Sequence, residues 1–135
     1  ADIEQYDTNQ GRTYKYRRTC YNGTWSDYEW YEPDMLPGVE YRTTERWNGK
    51  AVYVKAINVG ALPNNATNYA YNVLPLNIQV VSIDGFGRAT DGGAQPLSVL
   101  LSEIWVAEAS GYIGFKTNTD RSKFTAHVVV KYTKD

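Results

Sequence analysis

Five carboxylates raise the question of acid–base chemistry: Asp84, Asp91, Glu103, Glu108 and Asp120. Hydrolysis of a glycosidic bond needs two such groups at a matched separation, one of them kept protonated by a raised pKa. Asp84 and Asp91 each precede glycine, in Asp84-Gly85 and Asp91-Gly92-Gly93, where an Asp side chain bonds the local backbone and shapes a turn. Asp120 opens a similar turn before Arg121-Ser122, and Glu103 falls in strand-like sequence where it can pair with a cation. Nucleophilic chemistry has less to work with. His127 is the single histidine, set beside Val128 in strand-like sequence and away from any serine-nucleophile context. With one histidine and one cysteine, Cys20, the chain cannot assemble a His/Cys metal site or an intrachain disulfide. No Asp-x-Asp-x-Asp calcium loop is present either. These residues argue against an enzyme and predict no catalytic residue, metal or cofactor.

Binding is better supplied. A sugar is typically held by an aromatic ring against the apolar face of a pyranose, while amides, carboxylates and guanidinium groups bond its hydroxyls. Two segments combine those types in turn-like sequence. Residues 63–71 bring Asn64, Asn65, Asn68, Tyr69 and Tyr71, and residues 84–91 bring Phe86 and Arg88. These seven are the candidate ligand-binding residues. Trp105 and Tyr112 flank a third turn at Ser110-Gly111. Core or subunit packing is the expectation for Trp25, Trp30, Trp47 and Trp105.

The elements that position these residues read as strands. No long stretch keeps apolar residues at helical spacing, whereas strand patterns recur every ten to fifteen residues or so, as in a sandwich or barrel. Residues 12–21 alternate, Asn22-Gly23 offers a turn in which both residues tolerate positive φ, and residues 25–31 continue as an aromatic strand. Pro33 and Pro37-Gly38 then break the pattern. A second hairpin pairs residues 39–46 with 50–59 around Asn48-Gly49, and residues 60–68 read as a loop. Residues 76–83 form a strand whose apolar phase slips from Val80 to Val81, which predicts a bulge or a strand buried on both faces. Residues 98–106, 112–117 and 126–132 complete seven or eight strands with no helix. The fold class is all-β: an antiparallel β-sandwich over residues 38–135, preceded by a short N-terminal β-hairpin module over residues 1–37.

Composition narrows the partners. The 135 residues suit one domain with a short extra module, and 42% hydrophobic residues suffice for a core. A formal net charge of −1 lacks the basic footprint of nucleic-acid binding. Lys15, Arg17 and Arg18, interleaved with Tyr14 and Tyr16, read as a solvated strand face. No apolar run reaches membrane-spanning length, so membrane insertion is not expected. Twelve tyrosines against three phenylalanines favour half-buried sheets, sugar-stacking surfaces or subunit interfaces.

Two stretches resemble a known family. Tyr14-Lys15-Tyr16-Arg17-Arg18, followed by Gly23-Thr24-Trp25-Ser26-Asp27-Tyr28, resembles the close of a knob-type repeat in phage and pyocin tail fibres. Thr44-Glu45-Arg46-Trp47-Asn48-Gly49-Lys50, then Val52-Tyr53-Val54-Lys55 and Asn58-Val59-Gly60-Ala61-Leu62-Pro63-Asn64, is similar to a C-terminal tail-fibre domain. The ending, Ile113-Gly114-Phe115-Lys116-Thr117 with Asp120-Arg121-Ser122 and Val130-Lys131-Tyr132-Thr133-Lys134, is similar to the close of that domain. After the Pro-Asn loop the family often carries Ala-His-Gly where this chain has Ala70-Tyr71-Asn72, so no role of that histidine carries over. The resemblance implies the distal tip of a virion tail fibre, a homotrimer that binds a bacterial surface glycan or protein. It also implies that the chain is a fragment of a longer fibre. The alternatives are a structural trimerising end module and a polysaccharide depolymerase component.

Overall fold

The structure, a computed structural model, describes residues 2–9, 12–27, 29–30 and 36–134, with side chains over residues 18–27 and 36–134. Twelve strands and one helical turn follow in order. They are β1 (Asp2–Asn9), β2 (Arg12–Tyr21), β3 (Thr24–Trp25), β4 (Glu29–Trp30), β5 (Glu40–Trp47), β6 (Lys50–Ala61), β7 (Thr67–Ala70), β8 (Ile78–Ala89), β9 (Ala94–Pro96), α1 (Leu97–Leu100), β10 (Glu103–Ala107), β11 (Tyr112–Lys116) and β12 (Phe124–Lys134). The large sheet runs β1-β2-β4-β5-β6-β12-β8-β9, with β3 hydrogen-bonded to β2, and the small sheet runs β10-β11-β7. All pairings are antiparallel except the single parallel contact of Trp30 with Thr43. The chain is therefore all-β, two sheets closed face to face. Among the described residues no helix is long and apolar enough to cross a membrane.

The expected turns form where backbone chemistry demands them. Asn22 and Asn48 take φ of 50° and 51°, each followed by glycine at φ 76° and 80°. That is the type I′ geometry, which matches the twist of the strands it joins. The phase slip in β8 is a bulge: Lys131 pairs with Ser82 and Tyr132 with Val80, leaving Val81 unmatched. The extra residue turns Val80 and Ile83 toward the same interior although they are three apart, because period-two alternation restarts at the bulge.

The core lies between the sheets. Ile57 of β6, Ala126, Val128, Val130 and Tyr132 of β12 and Ile78 of β8 meet Ile113 and Phe115 of β11, with Leu97 and Leu100 of α1 closing one end. Each large apolar side chain buried there contributes about 1.5–3 kcal/mol. Surface ion pairs such as Lys131–Glu45 at 2.9 Å contribute about 0–1 kcal/mol each, so packing dominates. Beyond that core, β6 is buried on its second face as well, through Val52 and Val54 beside Tyr41 and Thr43. The Thr43 hydroxyl donates to the Val52 carbonyl at 2.7 Å, which satisfies that buried polar group.

Several expectations need correcting. Residues 84–89 are not a loop: β8 runs unbroken to Ala89, paired with β12 throughout. Gly85 and Gly87 serve close approach instead of turning. A Cβ on Gly85 would lie 2.2 Å from the His127 carbonyl oxygen and 2.7 Å from Leu97 Cδ1, and one on Gly87 would lie 2.3 Å from Leu100 Cδ1. Both are thus cleared for α1 to press on the sheet. Residues 98–106 do not form one strand: α1 occupies 97–100 and β10 starts at Glu103. The loop of residues 60–68 is shorter, because β6 reaches Ala61 and β7 begins at Thr67. Asp2–Asn9, to which no strand was assigned, pairs with β2 along its whole length. The strand expected at residues 25–31 is divided into β3 and β4. Of the two fates expected for the tryptophans, core or subunit packing, three of them do not take the core: Trp25 and Trp47 are exposed and Trp105 is half-buried. Tyr28, Tyr31 and Pro33 lie outside the described residues, as do the side chains of Tyr14, Lys15, Tyr16, Arg17 and Trp30.

Candidate functional site

The small sheet turns its inner face, with Ile104, Val106, Ile113 and Phe115, to the core, so alternation sends the intervening residues outward. Register then assembles a surface from three strands. Trp105 of β10 lies opposite Gly114 of β11, and Gly114 opposite Tyr69 of β7, in one row across the sheet. In the adjoining row Ala107 lies opposite Tyr112, with Tyr71 following the end of β7. Four aromatic rings therefore share one outer face.

The rings form a connected set. Tyr69 and Tyr71 stack at 5.7 Å between centroids with 23° between planes. Tyr69 meets Trp105 edge-on at 6.0 Å and Tyr112 edge-on at 5.9 Å, and Tyr71 meets Tyr112 at 5.5 Å. Offset and edge-to-face contacts at these distances are the favoured aromatic arrangements and hold the rings in place without burying them. Tyr69 is 42% exposed and Tyr71 63%. Gly114 sets the level of the surface. A Cβ there would fall 2.2 Å from Cε2 and Cζ2 of Trp105, so the indole lies across the bare backbone of β11. Glu103 and Lys116, which are opposite each other in the next row, border the rings with charge.

Of the seven residues expected to bind ligand, Tyr69 and Tyr71 belong to this face. Asn68 is on the opposite side of β7, where its Oδ1 accepts the Tyr69 N–H at 3.0 Å. Asn64 and Asn65 lie beyond the far end of β7. Asn64 bridges to Asp120, and Asn65, at φ 47°, donates its N–H to the Thr119 carbonyl at 3.2 Å. Phe86 and Arg88 are on the large sheet, apart from the tyrosines. There Phe86 stacks on His127 at 5.2 Å, and the Arg88 guanidinium sits 5.4 Å from the Phe86 centroid. Pro96, Phe86, His127 and Asn58 align in one row over four strands. Sequence reasoning noted Trp105 and Tyr112 only as neighbours of a turn and missed Gly114. Their signal was the alternation of Trp105 with the apolar, half-buried Ile104 and Val106, and of Tyr112 and Gly114 with buried Ile113 and Phe115.

The carboxylates divide by what they bond. Asp120 accepts the Ser122 hydroxyl at 2.6 Å and the Ser122 N–H at 2.9 Å. Those bonds, the side-chain one first, hold its carboxyl below the usual value and suit it to shaping a turn, not to donating a proton. Glu108 accepts the Val80 N–H at 2.7 Å, and Asp91 lies 4.0 Å from the Lys123 ammonium. Asp84 and Glu103 instead line one cleft of about 380 Å³ between β8, α1 and β10. Among the described residues no three His, Cys, Asp or Glu side chains are grouped to hold a metal ion.

Set against protein-family models, curated proteins and solved structures, the chain matches none.

Proposed function

We propose that this chain is a non-catalytic binding domain that holds a bacterial surface glycan on the face built from Tyr69, Tyr71, Trp105 and Tyr112. The observation that carries the reading is the indole of Trp105 lying over Gly114, with Tyr69 and Tyr71 exposed beside it. Stacked rings with hydroxyl tips present apolar area and hydrogen-bonding groups together, which is what a pyranose offers in return. The resemblance to tail-fibre tips supplies the setting: the distal end of a phage tail fibre, with the chain as one subunit of a homotrimer. Exposed Tyr21 and Trp25 in the N-terminal hairpin and exposed Trp47 at the turn between β5 and β6 support the trimer, since apolar rings on a surface suit burial by a partner subunit.

Binding of the purified chain to intact bacteria and to their extracted surface polysaccharide tests the proposal. Trp105→Ala and Tyr69→Ala should each weaken retention while leaving the melting temperature close to that of the parent. Lack of retention on every strain that the parent phage infects overturns it, and leaves a structural fibre end as the better account.

A further inference from the structure

The sandwich closes unevenly along β8. Among the described residues β9 covers this strand only over Phe86–Arg88, and from Ile78 to Gly85 β12 is the one strand paired with it. Ala89 donates its N–H away from β12, to the Gly93 carbonyl at 2.6 Å, while Thr90 donates to Lys123 at 3.0 Å on the β12 side. Pairing with β12 is regular from Ser82 to Ala89. Alternation therefore sends the backbone N–H and C=O of Gly87, Gly85 and Ile83 to the outer edge. Past the bulge, Glu108 covers that edge: its carboxylate accepts the Val80 N–H at 2.7 Å and its carbonyl the Ile78 N–H at 3.0 Å. Between the two covered stretches, Ile83 and Gly85 have no partner on the edge among the described residues.

The cleft of about 380 Å³ opens at this gap. Leu97, Leu101 and Ile104 contribute its apolar lining, and Asp84 and Glu103, which form no ion pair among the described residues, stand at its border. Its second wall, β10, is itself the edge of the small sheet. Ile83 and Gly85 are spaced as alternate residues of a strand, about 6.8 Å apart, which is the repeat at which an antiparallel neighbour offers matching groups.

We propose that this cleft takes an extended, basic peptide segment of another protein, added to β8 as a strand. Its main chain pairs with Ile83 and Gly85, its apolar side chains enter over Leu97 and Ile104, and its cations meet Asp84 and Glu103. Main-chain pairing of this kind supplies affinity while the side-chain pockets select the sequence. A second copy of this chain is the poorer occupant. None of its edge strands, β1, β7, β9 and β10, carries a lysine or arginine, and β1 carries Asp2, Glu4 and Asp7, the same sign as the cleft.

The test uses the full chain labelled with nitrogen-15 and the probe acetyl-Lys-Val-Lys-Val-Lys-amide. The expected result is saturable shifts of the Ile83 and Gly85 amides, abolished when both probe valines are N-methylated and when glutamate replaces lysine. The double variant Asp84→Asn, Glu103→Gln should keep the parent spectrum elsewhere and bind the probe about tenfold more weakly. Shifts absent at millimolar probe, equal binding of the N-methylated peptide, or unchanged affinity of the double variant would each overturn the proposal.

Discussion

Replacing Gly114 with alanine separates the aromatic face from the fold beneath it. The new Cβ would start 2.2 Å from two atoms of the Trp105 ring. Ordinary carbon contacts lie at about 3.5–4.0 Å, so the indole must move outward by more than an ångström or swing off the face. Gly114 is not among the residues with positive φ, so alanine is not strained there by its backbone. Overpacking costs about 1–3 kcal/mol, and loss of glycine's unfolded-state freedom returns about 0.4–1 kcal/mol. Because the Trp105 ring faces outward and can yield, the net stability change should fall near the low end, at about 1 kcal/mol or less. Binding should suffer more. A pyranose covering about a third of what a buried aromatic side chain covers occupies roughly 60–80 Å², which at about 25 cal/mol per Å² is about 1.5–2 kcal/mol. That converts to a rise in Kd of about 12- to 30-fold. Thermal melting and titration with the polysaccharide retained by the parent chain measure the two effects side by side. A Gly114→Ala protein that melts like the parent and binds with unchanged Kd would refute the assignment of the ligand to this face.

Further outcomes follow from other contacts. Gly85→Ala should destabilise by about 2–3 kcal/mol and more than Gly87→Ala, because its Cβ meets the His127 backbone and Leu97, whereas that of Gly87 meets only the end of the Leu100 side chain within 3 Å; urea unfolding ranks the two. Tyr132 is buried and donates to Glu40, and burial first, then Glu40, raises its pKa. Below about pH 10 both folded and unfolded chains keep the phenolic proton, and above it the unfolded chain releases it first. Stability should therefore fall as pH rises beyond that point, and Tyr132→Phe should flatten the alkaline limb while costing about 1–2 kcal/mol at neutral pH. Ser122→Ala should let the Asp120 carboxyl rise toward its ordinary value, read by NMR titration. Sedimentation should give a trimer; a stable monomer at micromolar concentration would count against the fibre-tip reading.

Much of the local structure was legible in the residues. Both Asn-Gly hairpins and the bulge near Val81 came from rules that act over a few residues: tolerance of positive φ and the two-residue period of a strand. Glycines elsewhere misled. Asp84-Gly85 carries the same letters as a turn, but Gly85 faces the His127 carbonyl and the Leu97 side chain, neighbours that lie far along the chain. The short helical turn at Leu97 was hidden for a similar reason, since its hold on the sheet depends on Gly85 and Gly87 leaving room.

By itself the sequence determined that this protein is built of strands, where its tight turns fall, and that it is rich in rings with polar tips. It did not determine which of those rings meet. Tyr69, Trp105 and Tyr112 lie on three different strands, and only the pairing of β7 and β10 to opposite sides of β11 brings them onto one face. Turn preference is a local backbone energy and can be read along the chain. Strand order is decided by which apolar faces bury each other, a property of the whole packed molecule.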